Sequence, residues 1–569
     1  MDSLAVYAIA VGGIFVGLFF ARKLSVYASW MLSVLASWAN WTFSVLASWK
    51  GSASLFFSRH LALPFLVHRH RFLGPWSRAD VLFHTSYATV NIFLVFYKSN
   101  SVTDAGHQAA KLALINIIFP LSTFHISHLA DILGIKWRTC CRIHRVTGWT
   151  AVALLSFHVI VRVQVKGFTF PLGILQNLFT MLATVSLGVL VLIAIPWIRQ
   201  WSYEIFLRGH QALAGLFVYG TWQHISQNQS IRTYVLIALG IFGVNLIVQL
   251  ITLLYRNGLF TGRGAPRAIV TFSAREARVK VNDPKKEKEA VRHDGHDARL
   301  SPRDTVKAAH ILLILPRPVK VEAGQYINLW MPSVSLWSWM QTHPFTVTSW
   351  SKCTQDTMEL LVQPRHGLTA KLLRYAPSAL YRSVSFLALF TGPHGTTENV
   401  SQHKSVIVIA SRFGIAAAVP YLKKMIYGYN TGTSQVRRLQ LVWQVESVDE
   451  MTPALALLNN LLKDDTMGEG YILHISIYVK DNFDHKKLLF GEHQRVYICQ
   501  NTPDYSDIIS LKAFGNHIER LPDTWDEEGR TLVIVSATDD VRDQLREVVR
   551  NHVHQDVKLS ELEYQPSAD

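Results

Sequence analysis

Four histidines carry the spacing from which chemistry can be read. His144 and His158 are fourteen positions apart, and so are His210 and His224. At about 100° per residue, fourteen residues return to within about 40° of the same helix face and rise roughly 21 Å along the axis. Both pairs stand in apolar segments. Each helix would therefore point two imidazoles in one direction, at two depths of a bilayer whose hydrocarbon core is about 30 Å thick. Side by side, the two helices pair His144 with His210 and His158 with His224. A single histidine in a membrane helix is ordinarily hydrogen-bonded to a neighbour, although ionisable groups there tend to mark function. The repeated interval is what points further. It implies two bis-histidine iron sites, that is, two b-type haems stacked across the membrane as a path for electrons.

The chain around these residues must supply the helices. It has 569 residues, 49% of them apolar, and nearly all the long apolar runs fall in the first 255. Leu4 to Ala21 reads as an uncleaved membrane helix, since no basic stretch precedes it and no small-residue cleavage site closes it. SVYASW at Ser25 is then echoed by SVLASW at Ser33 and Ser44. This is a local duplication whose tryptophans suit a membrane interface. Six membrane helices are predicted at 79–98, 109–130, 144–164, 174–197, 209–226 and 231–255. The loop at 59–78, the loop at 131–143 (Lys136, Arg138, Arg142), the loop at 198–208 (Arg199, Arg208) and the segment after Tyr255 are basic. Those sides are cytosolic by the positive-inside rule. His144 and His210 then form the inner site and His158 and His224 the outer one. His84, His125 and His128 lack a pairing pattern and read as structural.

The net charge of +16 is spread along the chain, which argues against a nucleic-acid partner. Cys140, Cys141, Cys353 and Cys499 form no CxxC and no spaced framework, so neither a zinc site nor a disulfide scaffold is implied. Cys140 and Cys141 are expected in a cytosolic loop.

The second half reads as a different kind of protein. Residues 275–304 are highly charged and poor in apolar residues, the composition of a disordered insertion. From Lys307, short β-like runs punctuated by Gly and Pro predict a small antiparallel barrel. From Ser405, strands alternate with helices, which predicts a parallel, doubly wound sheet. The expected division is 1–58 for the N-terminal membrane segment, 59–258 for the haem domain, 259–400 for the barrel and 401–569 for the α/β domain.

His343-Pro344-Phe345-Thr346 lies just downstream of Gly324-Gln325-Tyr326. With the two histidine pairs, the HPFT motif, the turn Gly392-Pro393-His394-Gly395 and the run ASRFGIAAAVPYL, the chain resembles the ferric reductase and NADPH oxidase superfamily. Within it, the chain is most similar to fungal ferric/cupric reductases. The resemblance runs from about residue 60 to the C-terminus. It implies an all-α transmembrane six-helix haem bundle followed by a ferredoxin–NADP reductase-like module, with an FAD barrel and an NADP domain. His343, Pro344, Phe345 and Thr346 would meet the flavin. Arg365, with Gly367 and Thr369, would approach its pyrophosphate, and a surface salt bridge is the alternative for Arg365. Gly392, Pro393 and Gly395 form the turn that closes the barrel and faces the nicotinamide, with His394 where the family has an aromatic residue.

Ser411, Arg412, Gly414 and Ile415 open a helix after the first parallel strand, where free N–H groups suit the NADPH pyrophosphate. Arg412 stands where the family has a small residue. Trp443-Gln444 and Ser536 lie at later strand ends, where ligands bind in such sheets. The implied activity is transfer of electrons from cytosolic NADPH through FAD and two haems to an external Fe(III) chelate or Cu(II). An iron or copper transporter would act downstream, and the plasma membrane is the expected location. Dioxygen is the rival acceptor. A redox-inactive membrane scaffold is the rival of another class, and Arg412 is its support.

Overall fold

In the computed structural model, the described residues are 4–17, 53–70, 74–167, 173–201, 203–259, 264–274, 306–335, 338, 341–365, 367–375, 383–466, 471–481, 495–513 and 531–566. The SVxASW repeats and the charged tract at 275–304 lie outside them. The chain divides into two compact units, Met1–Ile251 and Thr252–Asp569.

The first unit is helical. Its main elements are α1 (Leu4–Gly17), α2 (Arg78–Phe96), α3 (Val102–Leu121), α4 (Ile126–Leu133), α5 (Trp137–Lys166), α6 (Leu175–Ile193), α7 (Tyr203–His224) and most of α8 (Gln229–Arg256). Among the described residues, α2, α5, α6 and α8 are long and apolar enough to cross a membrane. The pair α3 and α4, bent by 94°, makes a fifth if counted as one span. The 22-residue α7 is not in that set, because Glu204, Arg208, His210, Gln211, Gln223 and His224 lower its mean hydropathy.

Two expectations need correction. The helix predicted at 109–130 begins at Val102, capped by Ser101, whose Oγ accepts from the Asp104 amide at 3.1 Å. It then breaks after Leu121. Pro120 lies in its last turn, and Thr123 Oγ1 donates to the His125 carbonyl at 2.9 Å, favouring local bonds over the helix ladder. The break frees backbone groups that cannot stay unpaired in lipid. Asn245 of α8 donates to the Ser122 carbonyl at 2.7 Å, and Gln249 donates to Thr123 Oγ1 at 3.0 Å. The second correction is the loop at 131–143. Gly134, with φ of 68°, ends α4, and α5 starts at Trp137 because no Gly or Pro follows until Gly148. Cys140 and Cys141 are therefore helical.

Small residues set the close helix crossings, as in other membrane bundles. α3 packs along α5, and α6 along α7. A Cβ on Gly106 would lie 3.0 Å from Val161, and one on Gly220 would lie 2.9 Å from the Phe179 carbonyl. Asn116 donates to Asn91 Oδ1 at 2.8 Å and to the Leu112 carbonyl at 2.9 Å, joining α2 to α3 through a buried polar contact.

The second unit contains two antiparallel sheets. One is four-stranded, with β1 (Arg267–Ala274), β2 (Val306–Val319), β5 (Gln355–Val362) and β6 (Val384–Leu387) in the order β5-β2-β1-β6. The other has β3 (Tyr326–Trp330), β4 (His343–Thr346) and β7 (Leu389–His394) in the order β4-β3-β7. Alternating residues such as Ile311, Leu313, Ile327 and Leu329 form their shared core.

A six-stranded parallel sheet follows. Its strands are β8 (Ser405–Ser411), β9 (Arg438–Val445), β10 (Leu473–Val479), β11 (Val496–Cys499), β12 (Thr531–Ser536) and β13 (Val557–Glu561). Their order is β11-β10-β9-β8-β12-β13. Fully buried runs such as VIVIA in β8 suit strands covered on both faces. The winding reverses between β8 and β12, so the switch point lies at the C-terminal ends of those strands. α9 (Ile415–Asn430) starts there.

Candidate electron-transfer and nucleotide sites

α5 holds both His144 and His158, and α7 holds His210 and His224. The His144 and His210 rings face each other with centroids 6.1 Å apart and planes at 49°. That separation leaves room for a metal ion bound by one nitrogen of each ring at about 2 Å. His210 Nδ1 is buried with no hydrogen-bond partner among the described residues, and buried polar atoms ordinarily have one.

At the other end of the helices, two hydrogen bonds set the ring tautomers. His158 Nδ1 lies 2.9 Å from the Gly106 carbonyl oxygen, an acceptor only, so Nδ1 carries the proton. Thr180 Oγ1 donates to the Gln176 carbonyl at 2.9 Å, which leaves its oxygen to accept from His224 Nδ1 at 2.7 Å. Both imidazoles therefore keep the Nε2 lone pair for a metal. A backbone carbonyl or side-chain acceptor behind the ring is the usual support of a metal-bound histidine.

Among the described residues no group of three or more His, Cys, Asp or Glu could hold a metal ion. A metal held between one such pair would take two ligands from the chain, the number that a bis-histidine haem iron would need. Gly106 and Thr180 were not singled out in the sequence. Their only signal is a small and a polar residue within apolar helices.

In the second unit, β3 brings two of the expected motifs together. Tyr326 pairs in register with Thr346 of HPFT on one edge and with His394 on the other. Pro344 is exposed and His343, Phe345 and Thr346 are half-buried, so this strand has surface to offer a ligand. Gly324 has φ of 87°, and a Cβ there would lie 2.5 Å from the Tyr421 hydroxyl. Burial pushes the Tyr421 phenol up to about 12. Gly392 and Gly395 also require positive φ, 110° and 99°, and Pro393 lies between them. His394 is buried, with its Nε2 3.0 Å from Thr391 Oγ1 and its ring 5.7 Å from that of Tyr326. The residue in the aromatic position is thus packed inward, against Thr391 and Tyr326. Arg365 is exposed, and its guanidinium holds Gln363 Oε1 at 3.0 and 2.9 Å while its amide donates to Thr369 Oγ1 at 2.9 Å. Gly367 follows with φ of 64°.

At the switch point the geometry reassigns several residues. Ser411 Oγ accepts from the Thr538 amide at 2.8 Å, and Ser536 Oγ donates to the Tyr564 carbonyl at 2.9 Å. Both serines and Ile415 are buried, and the two serine hydroxyls tie strand ends to neighbouring backbone. Trp443 is buried as well, and Gln444 Oε1 accepts from the Tyr505 hydroxyl at 2.8 Å. Gly414 is required by close approach, since a Cβ there would overlap the Ser536 carbonyl oxygen. Arg412 has φ of 48°, which explains why a small residue suits this turn.

The family description "Ferric reductase like transmembrane component" matches residues 105–221, and "FAD-binding domain" matches residues 297–405. Over these stretches the chain is similar to ferric reductase transmembrane components. The first match takes in His144, His158 and His210 and stops just short of His224. The second takes in HPFT, Arg365 and the Gly392–Gly395 turn. Among curated relatives, "Ferric reductase transmembrane component 4" of Saccharomyces cerevisiae is 24% identical over 303 residues, 53% of this chain and 35% of that protein. "Ferric/cupric reductase transmembrane component 2" of the same yeast is 22% identical over 380 residues, 64% of this chain and 47% of its own length. "Probable ferric reductase transmembrane component" of Candida albicans is 22% identical over 522 residues, 82% of this chain and 68% of its own. This ferric reductase-like chain therefore spans less than half the length of the two yeast relatives.

Proposed function

We propose that this chain carries electrons from NADPH through FAD and two b-type haems to an Fe(III) chelate, or to Cu(II), on the far side of a membrane. The observation that supports this most is the 6.1 Å facing of His144 and His210, together with the same fourteen-residue interval leading to His158 and His224. His144 and His210 would hold the inner haem iron, and His158 and His224 the outer one. Gly106 and Thr180 orient the outer rings. His343, Pro344, Phe345 and Thr346 would bind the flavin, and Arg365, Gly367 and Thr369 its phosphates. The turn from Ser411 to Ile415 would take the nucleotide through its backbone. When bound, FAD accepts a two-electron hydride and the haems pass electrons singly, chemistry that side chains do not supply. No general acid or nucleophile of the chain is needed.

In this reading α2, the α3–α4 pair, α5, α6, α7 and α8 are six spans. The basic segments then put the second unit in the cytosol, beside the NADPH pool, and the plasma membrane is the site of action. The relatives' names support iron and copper over dioxygen as acceptors. The test is reduction of external ferric chelate by cells with and without the gene. The account expects gene-dependent reduction that superoxide dismutase does not diminish. Sensitivity to superoxide dismutase would instead identify dioxygen as the acceptor, and a reductase-null result with haem absent would leave a scaffold.

A further inference from the structure

Arg412 fits the sequence pattern least well, and the structure gives it a specific partner. Its side chain is 16% exposed, and NH2 lies 2.7 Å from Glu446 Oε1, whose own side chain is 46% exposed. Glu446 directly follows β9, the strand beside β8. The Arg412 backbone is held as well. Trp443 Nε1 donates to its carbonyl at 2.8 Å, and φ is 48°, a region that disfavours any residue with a Cβ. A glycine would occupy this turn with less strain, so what the arginine adds is its charge, placed just before α9 at the sheet's switch point.

We propose that Glu446 is a displaceable counter-ion. It holds the Arg412 guanidinium until a nucleotide pyrophosphate takes it, and so it sets how tightly the site binds nucleotide. This deepens the reading of the second unit as a nicotinamide-nucleotide domain and rests on it. A guanidinium fork binds carboxylate and phosphate through the same N–H groups, so the two anions compete for one cation. The released carboxylate is already half in water, which keeps its separation from Arg412 inexpensive. Glu446 also adds negative charge beside a turn whose amides and helix end attract an anion. Both effects have one sign, so removing the Glu446 charge should tighten nucleotide binding.

The experiment measures binding of NADP+ and of NAD+ to the full-length purified protein by titration calorimetry. Wild type, Glu446→Gln, Arg412→Gly and the double variant are compared, with FAD content and thermal midpoint checked in each. Glu446→Gln should lower both dissociation constants by about two- to five-fold, the worth of one half-exposed ion pair. In the Arg412→Gly background the same change should give a smaller gain, because no guanidinium is left to release. Unchanged or weaker binding in Glu446→Gln overturns the proposal, and so does tightening confined to NADP+, which would assign Arg412 to the 2′-phosphate. An equal gain in both backgrounds also overturns it, reducing Glu446 to a general repulsion. A wild type that binds neither nucleotide would defeat the nucleotide reading itself, a result distinct from intact binding that ignores Glu446.

Discussion

Replacing Gly106 by alanine tests whether His158 is held as described. The new Cβ would lie 3.0 Å and 3.1 Å from the Cγ1 and Cβ of Val161, against an ordinary carbon–carbon contact of about 3.5–4.0 Å. Val161 is β-branched and sits on a rigid helix, so relief requires α3 to move from α5 by several tenths of an ångström. The Gly106 carbonyl moves with it. Its 2.9 Å bond to His158 Nδ1 then passes beyond the usual limit of about 3.2 Å. Loss of such a partner behind a metal-bound histidine costs about 10–100-fold in metal affinity, or roughly 1.4–2.7 kcal/mol. Haem per protein in purified Gly106→Ala should fall toward one, with the loss confined to the more weakly held haem. Gly148→Ala is the control: it lies on α5 and a Cβ there meets nothing within 4 Å. It should keep both haems and stabilise the helix by up to about 1 kcal/mol. Two haems with unchanged midpoint potentials in Gly106→Ala would refute the argument that this carbonyl orients an iron ligand.

Other expectations follow from the second unit. Gly414→Ala forces its Cβ into the Ser536 carbonyl. NADPH-driven flavin reduction should be lost while the dithionite-reduced haem spectrum survives, and normal stopped-flow flavin reduction would contradict the tight approach of α9 to β12. Thr346→Ala removes a hydroxyl from the strand paired with Tyr326. FAD should be released at several-fold lower dilution, as read by fluorescence, with haem content intact; wild-type retention would take Thr346 out of the flavin site.

What could be read in the sequence was whatever repeats at a fixed interval or sits in a short motif. The fourteen-residue spacing located the histidines, and the alternation of apolar strands and helices after Ser405 located the parallel sheet. Partners brought together by folding were not legible. Glu446 is far from Arg412 in the chain and meets it only because β8 and β9 are neighbours. Gly106 reaches His158 across a helix crossing that a glycine permits. The hydroxyls of Ser411 and Ser536 looked available at strand ends but are consumed by the backbone of Thr538 and Tyr564. The break after Leu121 could be inferred from Pro120, but the Asn245 side chain that makes it tolerable lies on α8. The start of α5 at Trp137 was hidden by its charges, which resemble a loop yet carry no helix breaker.

The central claim is that two histidine pairs hold two haems, and haem stoichiometry tests it most directly. Pyridine haemochrome analysis of the purified protein should give two b-type haems per chain in the wild type and one in His158→Ala, with the remaining haem lost only when His144 or His210 is also replaced. Fewer than two haems in the wild type, or a full complement in His158→Ala, would contradict it.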